Sequence, residues 1–234
     1  MKAPDIIARL RKLGDPARAR VSRRFFKTGP GEYGEGDIFV GVPVPRLRKL
    51  AQAYRDLPLP EITRLLKSPL HEARLLALLI LVARYRAGDG PSRERIYTLY
   101  LENTRRINSW DLVDSSAEQI IGAHLRGRGR SPLYSLARSS LLWERRIAIM
   151  ATFHFIRRGE FEETMRVAEI LLADPEALVR KAVGWMLREV GNRDRTVEEK
   201  FLKPRYQKMD RTMLRSAIEK FPGPLRRRYL RGEA

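Results

Sequence analysis

The sequence predicts an all-α fold in which antiparallel helix pairs stack into a curved solenoid. Apolar residues recur with a period close to 3.6 along almost all of the 234 residues, and the alternation typical of strands is nearly missing. One pattern recurs near the start of three predicted helices, which begin at His71, Trp143 and Glu176. In each of them a basic residue lies two or three positions before an alanine. These alanines are 71 and 34 residues apart, close to two units and one unit of about 35 residues. A helical bundle without repeats is the alternative.

Local patterns define the elements in chain order. Ile6, Leu10 and Leu13 mark a first helix, and Asp15-Pro16 supplies a cap and a first turn for a second helix that reaches Phe26. Turn-forming residues separate the later helices. We expect these at Pro45–Arg55, Pro60–Lys67, His71–Arg86, Arg93–Thr104, Ser109–Leu125, Trp143–Arg158, Phe161–Leu172, Glu176–Val190 and Thr212–Glu219. At roughly 100–200 residues per domain, we expect a single domain over residues 1–234.

The charge balance narrows the classes of partner. The chain has 47 Lys+Arg against 28 Asp+Glu, a formal charge of +19, and its 43% of apolar residues suffices for a core. A polyanion is therefore the first partner to consider. Nucleic acid is favoured over an anionic membrane because the charge is spread along the chain. Two basic runs, Arg126–Arg130 and Arg226–Arg228, either contact phosphates or form a solvated loop and tail.

Other classes of protein are disfavoured. The longest apolar run, Leu75 to Ala83, is too short to span a bilayer, and no charged-then-apolar leader is expected from the first residues. The absence of cysteine excludes disulfides, thiolate metal sites and thiol nucleophiles, and it is compatible with a cytoplasmic protein. No exposed heptad seam is evident, so we expect a monomer.

Two features that suggest other sites have simpler explanations. The string Gly29-Pro-Gly31-Glu-Tyr-Gly34 matches the dinucleotide fingerprint, but a helix precedes it where a strand is required, so we interpret it as a loop. His71, His124 and His154 each lack a second ligand at metal spacing. We expect them to be helix-surface or packed histidines.

The segment Ile107–Ser116 is the most informative part of the chain. Asn108 is a natural N-cap, and Asp111 lies three residues later, where a capping-box carboxylate is expected. Asp114 has no such structural role. It follows Trp110 by four residues, so the indole and the carboxylate share one face of a helix. Solvent exposure is the alternative explanation for Asp114.

The other two tryptophans also lie near basic residues. Trp143 precedes Arg146 by three residues, and Trp185 lies four after Lys181 and three before Arg188. Core packing is the usual role of a tryptophan at helical spacing. Three tryptophans with basic neighbours on successive units also fit a stacking surface for nucleic acid.

Four segments occur in the order and at the spacing of a known family. They are Phe39–Pro45 followed by Arg46-Leu-Arg48, Ser109–Ser115, Trp143–Ala148 and Lys181–Glu189. On these segments the chain resembles the AlkD-type alkylpurine DNA glycosylases, which have HEAT-like repeats. The resemblance covers essentially the whole chain.

The resemblance implies a curved solenoid of HEAT-like helical-pair repeats whose basic concave face binds duplex DNA. It implies excision of cationic N3- and N7-alkylated purines, such as 3-methyladenine and 7-methylguanine, without a metal or redox cofactor and without a pocket for a flipped base. Family site residues match Trp110, Asp114 and Arg146, which are the catalytic candidates, and Trp185 as a second cleft tryptophan. Further candidates for DNA contact are Trp143, Arg188, Lys181, Phe25 and Phe26.

Two departures from the family affect substrate range and rate. The residue before the cleft tryptophan, aromatic in some relatives, is Ser109 here, and a tyrosine expected on the second helix corresponds to Phe25 or Phe26. The chemistry agrees with the residues present. An alkylated purine is cationic and leaves readily, so one carboxylate, Asp114, suffices to stabilise the developing sugar cation and to orient water. Arg146 is suited to a flanking phosphate.

No lysine stands out as a Schiff-base nucleophile, so hydrolysis without strand cleavage is expected. Two alternatives stay open. The first is a relative that recognises damaged or structured DNA without cutting the glycosidic bond. The second is a helical scaffold for an acidic protein or RNA.

Overall fold

The computed structural model describes all 234 residues, which form helices and no sheet. The all-α prediction is therefore confirmed. The isolated parallel bridge between Ile38 and Leu70 is the one β-type pairing. The helices form two compact units, residues 1–120 and 121–234, so the single domain over residues 1–234 stays a prediction. None of the helices combines the length and the apolarity that crossing a membrane requires.

The first unit is built around one long buried helix. Most of the 17 residues of His71–Ala87 are buried, because this helix packs against helices on several sides. Asp15 caps the second helix as predicted, accepting hydrogen bonds from the backbone of Ala17 and Arg18. In chain order the helices are α1 (Ala3–Leu13), α2 (Pro16–Phe25), α3 (Val44–Ala53), α4 (Leu59–Leu66), α5 (His71–Ala87), α6 (Gly90–Glu102), a 3₁₀ turn (Thr104–Arg106) and α7 (Trp110–Asp114).

The second unit has a similar all-helical construction. A π-helical turn, Glu118–Gly122, leads into it. Its helices are α8 (Ala123–Leu125), α9 (Ser131–Ala137), α10 (Leu142–Ala151), α11 (Phe153–Ile156), α12 (Glu162–Ile170), α13 (Ala177–Gly191), α14 (Arg195–Leu202), α15 (Arg211–Ala217), a 3₁₀ turn (Ile218–Lys220) and α16 (Gly223–Arg231). The most extensive packing in this unit is between α13 and α15.

An arginine recurs at the start of three helices and explains the repeat seen in the sequence. In α5, α10 and α13 it lies three residues after the first residue of the helix. Its guanidinium donates to carbonyl groups of the preceding loop and pairs with an aspartate elsewhere in its unit. The basic residue of the repeat thus links the start of its helix to the preceding loop and to an aspartate of the same unit. The pairs are Arg74–Asp37, Arg145–Asp174 and Arg180–Asp210.

The predictions of two long helices are wrong, because the structure interrupts each of these helices. The helix expected at Ser109–Leu125 ends as α7 at Asp114, and the one expected at Trp143–Arg158 divides at Thr152. A buried hydroxyl lies at each interruption. Ser116 Oγ donates to the carbonyl of Leu112 at 2.6 Å, and Thr152 Oγ1 donates to that of Ile149 at 2.7 Å. Such side-chain bonds compete with the backbone ladder.

Three helices were not predicted, namely α9, α14 and α16. Asp194 caps α14 by accepting a hydrogen bond from Val197 N at 3.2 Å. The run Arg226–Arg228 belongs to α16 and not to a solvated tail, because Tyr229 of the same helix is buried. The run Arg126–Arg130 packs against the second unit, to which it belongs, because Arg126 and Arg130 both form ion pairs with Glu160.

Candidate functional site

A cleft of about 640 Å³ in the first unit is lined by two of the catalytic candidates that the sequence predicts. Trp110 and Asp114 both line it, as their shared helical face predicts. Most of its other lining side chains come from α3 and α5, and a few come from α7 and the residues that follow it. The polar and charged members besides Asp114 are Arg48, Lys49, Gln52, Arg86, Asp111, Ser115 and Gln119.

Helix α7, which carries the tryptophan and the aspartates, begins differently from the prediction. Its N-cap is the buried Ser109, whose side chain makes no capping hydrogen bond, so the assignment of Asn108 as the N-cap is wrong. With Ser109 as the cap, the third residue of the helix is Leu112, and Asp111 stands one position too early for a capping box. Asp111 instead accepts a hydrogen bond from His71 Nε2 at 2.8 Å.

Asp111 is one end of a buried chain of charged groups. His71, which is 2% exposed, bonds through Nε2 to Asp111 and through Nδ1 to Asp37 Oδ2 at 2.9 Å. Arg74 donates to the other oxygen of Asp37 at 2.6 Å. Burial alone would lower the pKa of His71, but its bonds to Asp111 and Asp37 outweigh burial and raise the pKa. His71 is thus a packed histidine, as predicted, with two carboxylate partners.

The carboxylate of Asp37 is perturbed in the opposite direction. Burial raises the pKa of a carboxyl group, but the bond from His71 and the charge of Arg74 outweigh it and hold the pKa of Asp37 below its usual value. Asp37 is therefore ionised at neutral pH. It bridges the two cationic side chains of α5.

An aromatic cluster supports Trp110 from one side. Phe26 stacks on the indole, with 5.2 Å between ring centroids, and Phe25 meets the indole edge-on at 5.7 Å. Phe26 also stacks on Phe39, which in turn stacks on His71 at 4.4 Å. Phe25 is 63% exposed, whereas Phe26 is half-buried. Both phenylalanine candidates therefore adjoin the cleft tryptophan.

Three cations of the cleft were not predicted as site residues. Arg48, Lys49 and Arg86 are exposed and form no ion pair, so their charges are available to an anion. A basic run on one helix, Arg46-Leu-Arg48-Lys49, was visible in the sequence. The approach of Arg86 from α5 depends on packing, and no local pattern indicates it.

The remaining candidates lie in the second unit. Arg146 is 5% exposed and donates to the carbonyl of Leu178, so the phosphate contact predicted for it stays a prediction. Trp185 is half-buried, and its Nε1–H donates to Glu189 Oε1 at 3.2 Å.

The other candidates in the second unit differ in their exposure and in their ion pairing. Lys181 is exposed, and Arg188 pairs with Glu219. Trp143 at the start of α10 is half-buried. None of the three tryptophans is fully buried, so a stacking role stays open for each of them.

Comparison with known proteins identifies a family and two similar folds. The model of a family described as DNA alkylation repair enzyme matches residues 6–221. The structure of a predicted DNA alkylation repair enzyme from Enterococcus faecalis is similar, with a TM-score of 0.68 and 14% identity, over 90% of this chain and 97% of that one. AlkD2 from Streptococcus mutans is similar with a TM-score of 0.53 and 18% identity, over 95% and 100% of the two chains.

No curated protein matches the sequence significantly. At these identities the structural likenesses show the fold alone. They confirm the predicted helical-repeat fold, because both neighbours cover nearly the whole chain.

Proposed function

The chain belongs to the DNA alkylation repair enzyme family, and from that premise we propose that it is a monofunctional DNA glycosylase. Its substrates are cationic N3- and N7-alkylated purines in duplex DNA, and Asp114 is its catalytic carboxylate. The observation that carries this proposal is that one cleft contains both catalytic candidates of the first unit together with three cations. It presents a carboxylate, an indole and three uncompensated cations to one ligand.

The proposed reaction is a hydrolysis. The bond between the purine nitrogen and the sugar C1′ breaks, and its electron pair neutralises the cationic base, which leaves without protonation. A water oxygen bonds to C1′, and its proton passes to Asp114 or to solvent. Asp114 acts by stabilising the positive charge that develops on the sugar and by orienting that water. The indole face of Trp110 attracts the same charge at roughly 0.5–2 kcal/mol.

The cations of the cleft supply the affinity for DNA. Arg48, Lys49 and Arg86 are available to phosphates next to the lesion, and phosphate contacts fix the register of a protein on the duplex. Anionic DNA thus meets the basic side chains, while the cationic sugar and base meet Asp114 and Trp110. This separation of charges within one cleft suits a cationic lesion in an anionic polymer.

The test is release of free purine from methylated duplex DNA by wild type, Asp114→Asn and Asp56→Asn. Asp56 is exposed and does not line the cleft, so its variant is the matched control. We expect Asp114→Asn to lose roughly 10²- to 10⁴-fold in single-turnover rate, with duplex affinity nearly unchanged. Equal rates for wild type and Asp114→Asn would refute the assignment of Asp114. No release by wild type, with tight duplex binding, would favour a non-catalytic damage binder.

A further inference from the structure

A buried imidazole lies directly behind the cleft, between two carboxylates. We propose that His71 is a positioning residue of the site. As a doubly hydrogen-bonded cation between Asp37 and Asp111, it fixes α7, which carries Trp110 and Asp114, in the orientation that base excision requires. The expected effect of His71 on the rate of base release rests on the proposed function. The assignment of a positive charge to His71 rests only on the geometry of its contacts.

The geometry itself selects the charged form of His71. Both ring nitrogens face carboxylate oxygens, at 2.9 Å from Asp37 and 2.8 Å from Asp111. An ionised carboxylate only accepts hydrogen bonds, and a neutral imidazole has a single N–H. Between two ionised carboxylates, only the imidazolium, with two N–H groups, satisfies both contacts. Loss of its proton turns one of them into an unfavourable contact between an acceptor and an acceptor.

Charge balance favours the same form. Arg74, Asp37, His71 and Asp111 form one chain of contacts, and His71 and Arg74 are 2% and 3% exposed. With His71 charged, the two cations and two anions cancel. A neutral His71 would leave one negative charge uncompensated in a poorly solvated place, which is costly. The pKa of His71 is raised accordingly.

The other groups around His71 do not change this balance. Arg18 and Glu72 line the same small cavity of about 150 Å³ as His71, and Arg18 pairs with Asp15 at 3.4 Å. The carboxylate of Glu72 accepts hydrogen bonds from the backbone of Val40 and Gly41, so it serves that loop. The rings of Phe26 and Phe39 pack against the imidazole and carry no charge.

The bond from His71 reaches the cleft through a very short helix. α7 has only 5 residues, and its N-cap makes no side-chain bond, so the contact between His71 and Asp111 ties its first turn to α5. Asp111 adjoins Trp110 in the sequence. When His71 loses its proton, that tie weakens and Asp111 becomes a second uncompensated carboxylate beside Asp114. Both changes oppose productive binding of DNA.

The first test is the pH profile of single-turnover base release, from about pH 5 to about pH 9, around the ordinary histidine pKa. For wild type we expect the rate to fall on the alkaline side with an apparent pKa above the ordinary histidine value of 6.5. His71→Gln keeps one donor but cannot titrate. We expect it to be roughly 10- to 100-fold slower at neutral pH and to lack the alkaline fall.

The matched control is His154→Gln. His154 is a half-buried histidine of the second unit whose pKa is lowered to about 4 by burial and then by nearby arginines. It is therefore neutral over the tested range, and the variant should keep the wild-type profile. An alkaline fall that persists unchanged in His71→Gln would overturn the proposal.

A second measurement does not depend on activity. In nitrogen-detected NMR of the wild-type protein, we expect both ring nitrogens of His71 to be protonated at neutral pH, and the titration to move to lower pH in Asp111→Asn. A neutral tautomer of His71 at neutral pH overturns the proposal even if His71→Gln fails to fold. If wild type releases no base although His71 is charged, the proposed function fails while the charge assignment of His71 holds.

Discussion

The indole of Trp110 lies nearly parallel to the phenyl ring of Phe26, with 5.2 Å between centroids and 14° between planes. Phe26 in turn stacks on Phe39 at 5.0 Å, so the indole rests on a column that continues into the core. The orientation of the cleft tryptophan is therefore set by residues far from it in sequence. A stacked aromatic pair contributes about 0.5–1.5 kcal/mol beyond its buried area.

Replacing Phe26 by leucine should disturb this support while keeping an apolar side chain. We expect Phe26→Leu to lose about 1 kcal/mol of unfolding free energy and roughly tenfold in the rate of base release, because the indole is no longer held. Chemical denaturation and single-turnover kinetics measure the two effects. Phe161→Leu, at a half-buried phenylalanine outside the column, is the control. A full wild-type rate in Phe26→Leu would show that the stack does not position Trp110 for catalysis.

The unpaired cations of the cleft predict the salt dependence of DNA binding. If Arg48, Lys49 and Arg86 each contact a phosphate, every alanine replacement should lower the slope of log affinity against log salt by about 0.9. The loss should not depend on DNA sequence or on the presence of a lesion. Fluorescence anisotropy at several salt concentrations measures the slope. Lys67→Ala removes an exposed lysine that does not line the cleft, and it should leave the slope unchanged.

Features that depend on local sequence were predictable. The cap at Asp15 was predicted because its partners, Ala17 and Arg18, lie within three residues. The shared face of Trp110 and Asp114 follows from their spacing of four residues, and both line one cleft. The periodicity of α5 likewise predicted its bounds almost to the residue.

Features that depend on distant partners were not predictable. The sequence assigns Asp111 to a local capping box, whereas its partner His71 lies 40 residues earlier. A buried histidine with two hydrogen bonds is a stronger partner than a backbone N–H that water can satisfy. The end of α7 depends on whether Ser116 bonds to the backbone of the same segment, and composition does not determine this.

The packing of α13 against α15 predicts a steric requirement at Gly184. A Cβ at this position would lie 2.4 Å from the carbonyl oxygen of Met213, which is too close for any side chain. We expect Gly184→Ala to cost about 1–3 kcal/mol of unfolding free energy, because the two backbones must separate. Gly90→Ala is the matched control. Nothing lies within 4 Å of its Cβ, so it should be neutral or slightly stabilising.

Glu198 in α14 predicts an unusual dependence of stability on pH. It is 1% exposed, and burial, with a smaller contribution from Glu199, raises its pKa to about 9 from the ordinary value of 4.5. Between these two values the folded protein keeps a proton on Glu198 that the unfolded chain releases. The folded state then binds more protons, so the contribution of Glu198 to the unfolding free energy falls as pH rises through this range.

Glu198→Gln should remove this dependence, because glutamine imitates the protonated acid and does not ionise. At about pH 8 we expect the variant to be more stable than wild type by on the order of a few kcal/mol, since each unit of pKa shift is worth about 1.4 kcal/mol. At acidic pH the two should converge. Denaturation curves at both pH values measure the difference, with Glu176→Gln, at an exposed glutamate of the same unit, as the control. A constant difference at the two pH values would mean that Glu198 is ionised in the folded protein and that a cation compensates it.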